Sequence, residues 1–174
     1  MSGNGHFLAR VSGEVKGNVT LRKQQYRISD NTEQSIKLAR NFITGKVYNC
    51  RWVLERAVRD YSLRIDTDSI KKKSKILYQS LEKIRTCKTS AQLLGLEGEA
   101  AAVYFSVFDE LILQQKEDFT FQGRNRRPPL DNVNAMLSFA YSLLTGMCGS
   151  ALESVGLDAY VGIFFIQTDR EEYL

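Results

Sequence analysis

Histidine occurs once in this chain, at position 6. No Ser-His-Asp or Cys-His pairing can be assembled without it, so nucleophilic hydrolysis is unsupported. At a terminus, where chains commonly fray, His6 reads as incidental rather than as a ligand or general base. Three cysteines, Cys50, Cys87 and Cys148, stand far apart and odd in number, which excludes a disulfide framework and a CxxC zinc site. No GxxxxGKS/T or GxGxxG phosphate loop occurs, which argues against a nucleotide-driven enzyme. A charged-then-apolar leader is missing, and no unbroken apolar run approaches ~18 residues. The expected setting is a reducing cytoplasm, with no membrane partner. What remains is ordinary for a folded domain: 174 residues, 43% hydrophobic and 25% charged, with two prolines. A chain of this length hides roughly 68–70% of its unfolded surface, enough for a core without staples. Twenty-four Lys and Arg against 20 Asp and Glu give +4, which permits a nucleic-acid partner without requiring one.

Residues 7–28 differ from the rest. Phe7-Leu-Ala-Arg-Val11 and Val15-Lys-Gly-Asn-Val-Thr-Leu21 are β-branched and punctuated by glycine, the pattern of two short strands or a loose hairpin. Two strands alone are marginal in water, so they require another surface. From Asp30 the period becomes helical. Ser29 or Asp30 can cap a long helix whose apolar positions include Ile36, Ala39, Phe42, Ile43, Val47, Cys50, Leu54 and Val58, with Gly45 marking a bend or a close helix contact. A cap-rich turn, Asp66-Thr-Asp-Ser69, leads to a second helix through Ile70, Leu77, Leu81 and Ile84. Ser90 can cap a short turn broken by Gly95. A third main helix then starts at Leu96–Glu97 and runs through Phe105, Phe108 and Ile112. A polar stretch ends in two prolines, and Asp131 caps a fourth helix that buries Val133, Met136, Leu137, Ala140, Leu143, Leu144, Met147 and Leu152, with Gly156 terminating it. Phe42, Leu54, Phe105, Phe108, Leu137 and Leu144 are the expected centre of the core.

Two segments carry candidate chemistry. Glu97, within Gly95-Leu-Glu-Gly-Glu99, can simply complement the positive end of a helix dipole. Alternatively, its flanking glycines admit a phosphate or another backbone, leaving the carboxylate for Mg²⁺ or Mn²⁺, cations that usually take several oxygen ligands. Arg124, Asn125, Arg126 and Arg127 form the densest basic segment; forked guanidinium groups beside proline-stiffened backbone suit phosphate, and a solvated loop is the competing reading. Lys71 to Lys75 read as a solvated face. Arg51, Arg56 and Arg59 are better phosphate candidates, sharing a helix with Trp52 and Tyr61. The aromatic residues themselves lie mostly on apolar stripes and read as core.

Together these segments resemble the CRISPR-associated integrase and endonuclease that installs new spacers in the CRISPR array. The most specific stretches are Leu94-Gly-Leu-Glu-Gly-Glu-Ala-Ala101, Gln122-Gly-Arg-Asn-Arg-Arg-Pro-Pro-Leu-Asp-Asn-Val-Asn-Ala135 and Ser150-Ala-Leu-Glu-Ser-Val-Gly-Leu-Asp158. The resemblance implies a mainly α chain: residues 29–174 as a helical catalytic domain truncated at its C-terminus, and residues 1–28 as the remnant of a small β domain that makes the family's homodimer. It also implies DNA substrates (a spacer precursor and the array), a small CRISPR adaptation partner protein, and a Mg²⁺ or Mn²⁺ ion held by a glutamate, a histidine and an aspartate.

Glu97 matches that glutamate. Where the histidine should follow Tyr160-Val-Gly162, Phe164, Phe165 and Ile166 stand instead, and neither Asp158 nor Asp169 matches the aspartate. Residues 163–174 can be encoded so that a shifted frame reads Phe-Phe-His-Thr-Asp-Arg-Pro-Gly-Arg-Val-Ser, which resembles the family's continuation. A frameshift soon followed by a stop is therefore expected, and flanking genomic DNA tests it. Three readings follow: an adaptation integrase by descent that is truncated and disabled, a non-enzymatic DNA-binding remnant, or an inert gene fragment. Missing ends are expected to leave apolar patches exposed.

Overall fold

The computed structural model describes residues 18–162, and these form five α-helices: α1 (Val19–Asp30), α2 (Thr32–Tyr61), α3 (Thr67–Thr86), α4 (Ser90–Phe105) and α5 (Asn132–Ser154), with one 3₁₀ turn at Phe108–Leu111. No strand occurs among the described residues, so the mainly α expectation holds. The strand pattern over 15–21 gives way to helix from Val19 onward. Asn18 caps α1, its side chain accepting from the Leu21 N–H at 3.2 Å, and residues 19–28 belong to the helical body. Residues 7–17 of the expected β remnant lie outside the described residues, as do 163–174, on which the frameshift expectation falls.

Asn31, rather than Ser29 or Asp30, starts α2. Its extended backbone closes α1, its N–H donating to the Ile28 carbonyl, while its side chain accepts from Gln34 N–H at 3.0 Å. One short polar residue thus serves two helix ends. α2 runs unbroken for 30 residues, about 45 Å. Gly45 makes no close helix contact, since a Cβ built there meets nothing within 4 Å.

The core lies between α2, α3 and α4. Ala39, Ile43, Val47 and Leu54 of α2 meet Ile70, Leu77, Leu81 and Ile84 of α3, and Leu93 and Ala100 of α4 close the third side. Each set steps by three, four or seven residues, so each helix buries one stripe. Leu54 is fully buried as expected, but Phe42, one position off the stripe, is 68% exposed. Asp66 caps α3, its carboxylate accepting from the N–H groups of Asp68 and Ser69 at 3.1 and 3.0 Å.

α4 corrects the sequence pattern. It begins at Ser90, capped by Thr89, and runs straight through Gly95 and Gly98 to Phe105. Each interior glycine costs about 1 kcal/mol relative to alanine; burial of Leu93 and Ala100 on either side keeps the turns intact. At the end of the helix and just after it, Tyr104, Phe105, Phe108 and Phe121 pack edge-on or tilted at centroid distances of 5.0–5.7 Å. Phe121 is the buried member, and it anchors the irregular segment leading to α5.

α5 is the second correction. Val133 is buried, but Met136, Leu143, Leu144 and Met147 are 53–69% exposed, as is Phe139 at 67%. Leu144 therefore lies outside the core, and Phe105, Phe108 and Leu137 are half-buried. By length and composition α5 could also cross a membrane, with a mean hydropathy of 1.4 over 18 residues. Its C-terminal end is tied down by polar contacts. Gln25 of α1 donates to the Asp158 carbonyl (2.8 Å) and accepts from the Asp158 N–H (2.9 Å), and Tyr26 donates to the Asp158 carboxylate (2.9 Å). Arg22 donates to the Gly156 carbonyl, and Gly156 takes the positive φ of 83° that ends the helix.

Candidate nucleic-acid interface

Glu97 lies midway along α4, not at a helix mouth, so the helix dipole is not what holds its carboxylate. Its partner is Lys46, which reaches across from α2 to form an ion pair with Glu97 Oε1. Both side chains line a cavity of about 510 Å³ whose other walls include Phe105, Asp109, Gly123, Arg124, Arg126 and Tyr141. Two partly buried groups nearby, Cys50 and Tyr104, are shifted. Burial pushes the Cys50 thiol upward, with Glu97 adding to the rise and Lys46 opposing it. Tyr104 is pushed up to about 12, first by burial and then by Cys50 and Tyr141.

The basic wall is built from residues 121–134. Gly123 adopts φ 143°, a region that side chains rarely enter, and turns the chain toward α5. Asn134, fully buried on the first turn of α5, holds the segment from inside. Its Oδ1 accepts from Asn125 N–H (3.0 Å) and an Arg124 guanidinium N–H (2.9 Å), while its Nδ2 donates to the Gly123 carbonyl (2.8 Å) and Asp131 (2.7 Å). Asp131 caps α5 as expected, accepting from the Asn134 N–H at 2.7 Å. Asn125 in turn accepts from the Leu130 N–H at 2.7 Å.

These contacts sort the candidate residues. Arg124 is committed internally, bonded to Asn134 and Ser138 and lying 5.6 Å from the Tyr141 ring centroid, although it also faces the cavity. Asn125 braces the loop. Arg126 and Arg127 are exposed and make no hydrogen bond or ion pair among the described residues, and Arg126 lines the cavity. Arg51 is half-buried between the rings of Trp52 and Tyr78, at 5.6 and 5.4 Å, and paired with Glu55 at 3.2 Å. Arg56 and Arg59 share Asp60 as partner and are largely exposed. Ten residues separate Lys46 from Arg56, about 15 Å of helix, so Arg56 and Arg59 form a patch apart from the Glu97 cavity. Sequence reasoning missed Lys46 and Asn134. Asn134 had a local signal, three residues after a capping Asp, whereas Lys46 had none.

A family model described as CRISPR associated protein Cas1 matches residues 1–174. The chain belongs to the Cas1 family. It is 46% identical over 167 residues to CRISPR-associated endonuclease Cas1 1 of Chlorobaculum tepidum, covering 96% of this chain and 48% of that protein. It is 47% identical over 170 residues to CRISPR-associated endonuclease Cas1 2 of Rhodospirillum rubrum, covering 95% and 48%. The chain thus spans about half the length of these curated relatives. Among solved structures, a casposase bound to integration product matches with TM-score 0.69 at 26% identity, over 88% of this chain and 43% of that one. A Cas1 protein from Thermotoga maritima matches with TM-score 0.67 at 26% identity, over 87% and 44%. A partial Cas6-RT-Cas1–Cas2 complex shares the fold, with TM-score 0.75 at 24% identity over 95% and 48%.

The implied divalent metal can be tested against the donors of this Cas1 chain. Among the described residues no group of three or more His, Cys, Asp or Glu could hold an ion. Glu97 is neutralised by Lys46, and Asp109 is taken up by the Phe121 N–H at 2.8 Å and by Lys116 at 3.2 Å. These donors do not by themselves fit Mg²⁺ or Mn²⁺, which require several oxygen ligands.

Proposed function

We propose that this chain is the DNA-gripping helical core of a CRISPR spacer-acquisition integrase. Arg126 and Arg127 carry the reading: two exposed guanidinium groups without partners among the described residues, on a backbone braced by Asn125 and Asn134. Such forks take phosphate oxygens in pairs, and a braced backbone limits the entropy lost on contact. Support comes from a structural neighbour at 26% identity, a casposase bound to integration product. The proposed DNA partners are a spacer precursor and the CRISPR array. A second copy of the chain and a small adaptation protein of the Cas2 type complete the proposed assembly, in the cytoplasm. Mg²⁺- or Mn²⁺-dependent cleavage and strand transfer need oxygen donors beyond Glu97, so we assign this chain binding without cleavage.

The test is fluorescence polarisation of a short labelled duplex in EDTA over a series of salt concentrations. Sequence-independent binding that falls steeply with salt is expected. Replacing both Arg126 and Arg127 by alanine should flatten the plot of log K against log salt by about two. With Mn²⁺ added, a supercoiled plasmid should stay intact. Absence of binding at low salt overturns the DNA reading, and nicking that Glu97→Gln abolishes overturns the assignment of binding alone.

A further inference from the structure

Lys46 stands where its charge is available to a ligand. Its neighbour Val47 is a core residue, so the start of its side chain is fixed by packing, while the side chain as a whole is 49% exposed and lines the cavity. Most other charges in that cavity are spoken for. Asp109 is held by Phe121 N–H and Lys116, and Arg124 by Asn134, Ser138 and the Tyr141 ring. Among the described residues Lys46 has one partner, Glu97, for an ammonium group with three donors. Its four-carbon stem allows the ammonium to move several ångströms without moving α2, whereas Glu97 is shorter and less exposed. An exposed pair of this kind contributes little to folding, so the fold does not require it to stay closed. Arg126, on the loop before α5, also lines the cavity and is a second cation with no hydrogen bond or ion pair among the described residues.

We propose that Lys46 is a phosphate-contacting residue of this cavity, its ammonium swinging from Glu97 to a backbone phosphate of the nucleic acid. The proposal rests on the DNA-binding reading above and adds a residue from a different element of the cavity lining than Arg126. A phosphate entering the cavity would meet cations from two elements, one from α2 and one from the loop before α5. The incoming anion would replace the carboxylate as the partner of Lys46.

The experiment uses the 174-residue chain and a fluorescein-labelled duplex of mixed sequence in EDTA, with affinity measured across a salt series. Lys46→Met should weaken binding about tenfold at low salt and lower the magnitude of the salt slope by about one, the signature of one lost phosphate contact. Lys46→Arg should restore the slope, because it restores the charge. Arg126→Ala serves as the reference variant. If Arg126→Ala loses affinity and slope while Lys46→Met loses neither, the Lys46 proposal is overturned and the cavity reading stands. If neither variant changes binding, the cavity reading fails and the Lys46 proposal falls with it. If Lys46→Met weakens binding but Lys46→Arg fails to restore the slope, packing rather than charge is responsible, and the proposal is overturned. Lys46→Gln, compared by circular dichroism and by the same titration, replaces Lys46→Met if that variant does not fold.

Discussion

Asn134 shows how one side chain can organise a surface without touching a ligand. It is fully buried, and both its amide nitrogen and its oxygen are occupied by residues 123–131. Truncation strands several buried polar groups at once, each costing about 1–3 kcal/mol when left without a partner. Asn134→Ala should therefore lower stability by about 2–3 kcal/mol, read as a drop in the thermal unfolding midpoint, and should weaken DNA binding through loss of loop order. Tyr104 gives a pH signature at the same scale. Its folded value of about 12 exceeds the ordinary value of 10.0, so the folded state retains a proton that the unfolded state releases first. Its contribution is whole below pH 10 and is lost as pH rises toward 12. Two units correspond to about 2.7 kcal/mol, which partial exposure reduces to about 1–2. Urea titrations between pH 9 and pH 12 should show this loss in the parent chain and a smaller one in Tyr104→Phe; identical curves refute the assignment.

At the scale of elements, glycine carries two opposite meanings in this chain. Gly45 is exposed within a continuous helix and has open space where a Cβ would stand. Gly45→Ala should stabilise the protein by about 0.5–1 kcal/mol, through helix propensity and a less flexible unfolded chain. Gly123 also has open space, but its φ of 143° is one that alanine resists. Gly123→Ala should destabilise by about 1–3 kcal/mol, and equilibrium unfolding of the two variants side by side separates space from backbone conformation. A gain at position 123 or a loss at position 45 would contradict this division.

For the molecule as a whole, α5 is the exception to a well-packed body. Met136, Phe139, Leu143 and Met147 follow a helical repeat and lie 55–69% exposed, well beyond the scattered apolar exposure of ordinary surfaces. The chain should therefore associate non-specifically at micromolar concentration and elute above its monomer mass in light-scattering chromatography. Replacing Phe139 and Met147 by glutamate should return it to a monomer, because charge on that face opposes association without reaching the core. A parent chain that is monomeric throughout would refute the prediction. Exposed Cys148 offers a second readout: it should react with thiol reagents faster than buried Cys87, and association should slow it.

Amphipathic periodicity by itself determined the centre of this protein. Ile70, Leu77, Leu81 and Ile84 could be read directly as the buried stripe of α3, as could Ala39, Ile43, Val47 and Leu54 of α2, because 3.6-residue spacing sorts side chains before any neighbour is known. The caps at Asp66 and Asp131 were legible for the same local reason. α1 was not, because its inner contacts run through Gln25, Tyr26 and Arg22 to residues more than 130 positions away, and such a polar stripe has no hydrophobic period. The length of α4 was hidden by Gly95 and Gly98, whose local cost was outweighed by burial that only neighbouring helices provide. Whether α5 is covered also depended on tertiary structure: its apolar pattern was readable, but burial needs an opposing surface. The Glu97–Lys46 pair spans 51 residues of sequence, and only the packing of α4 against α2 brings its charges together.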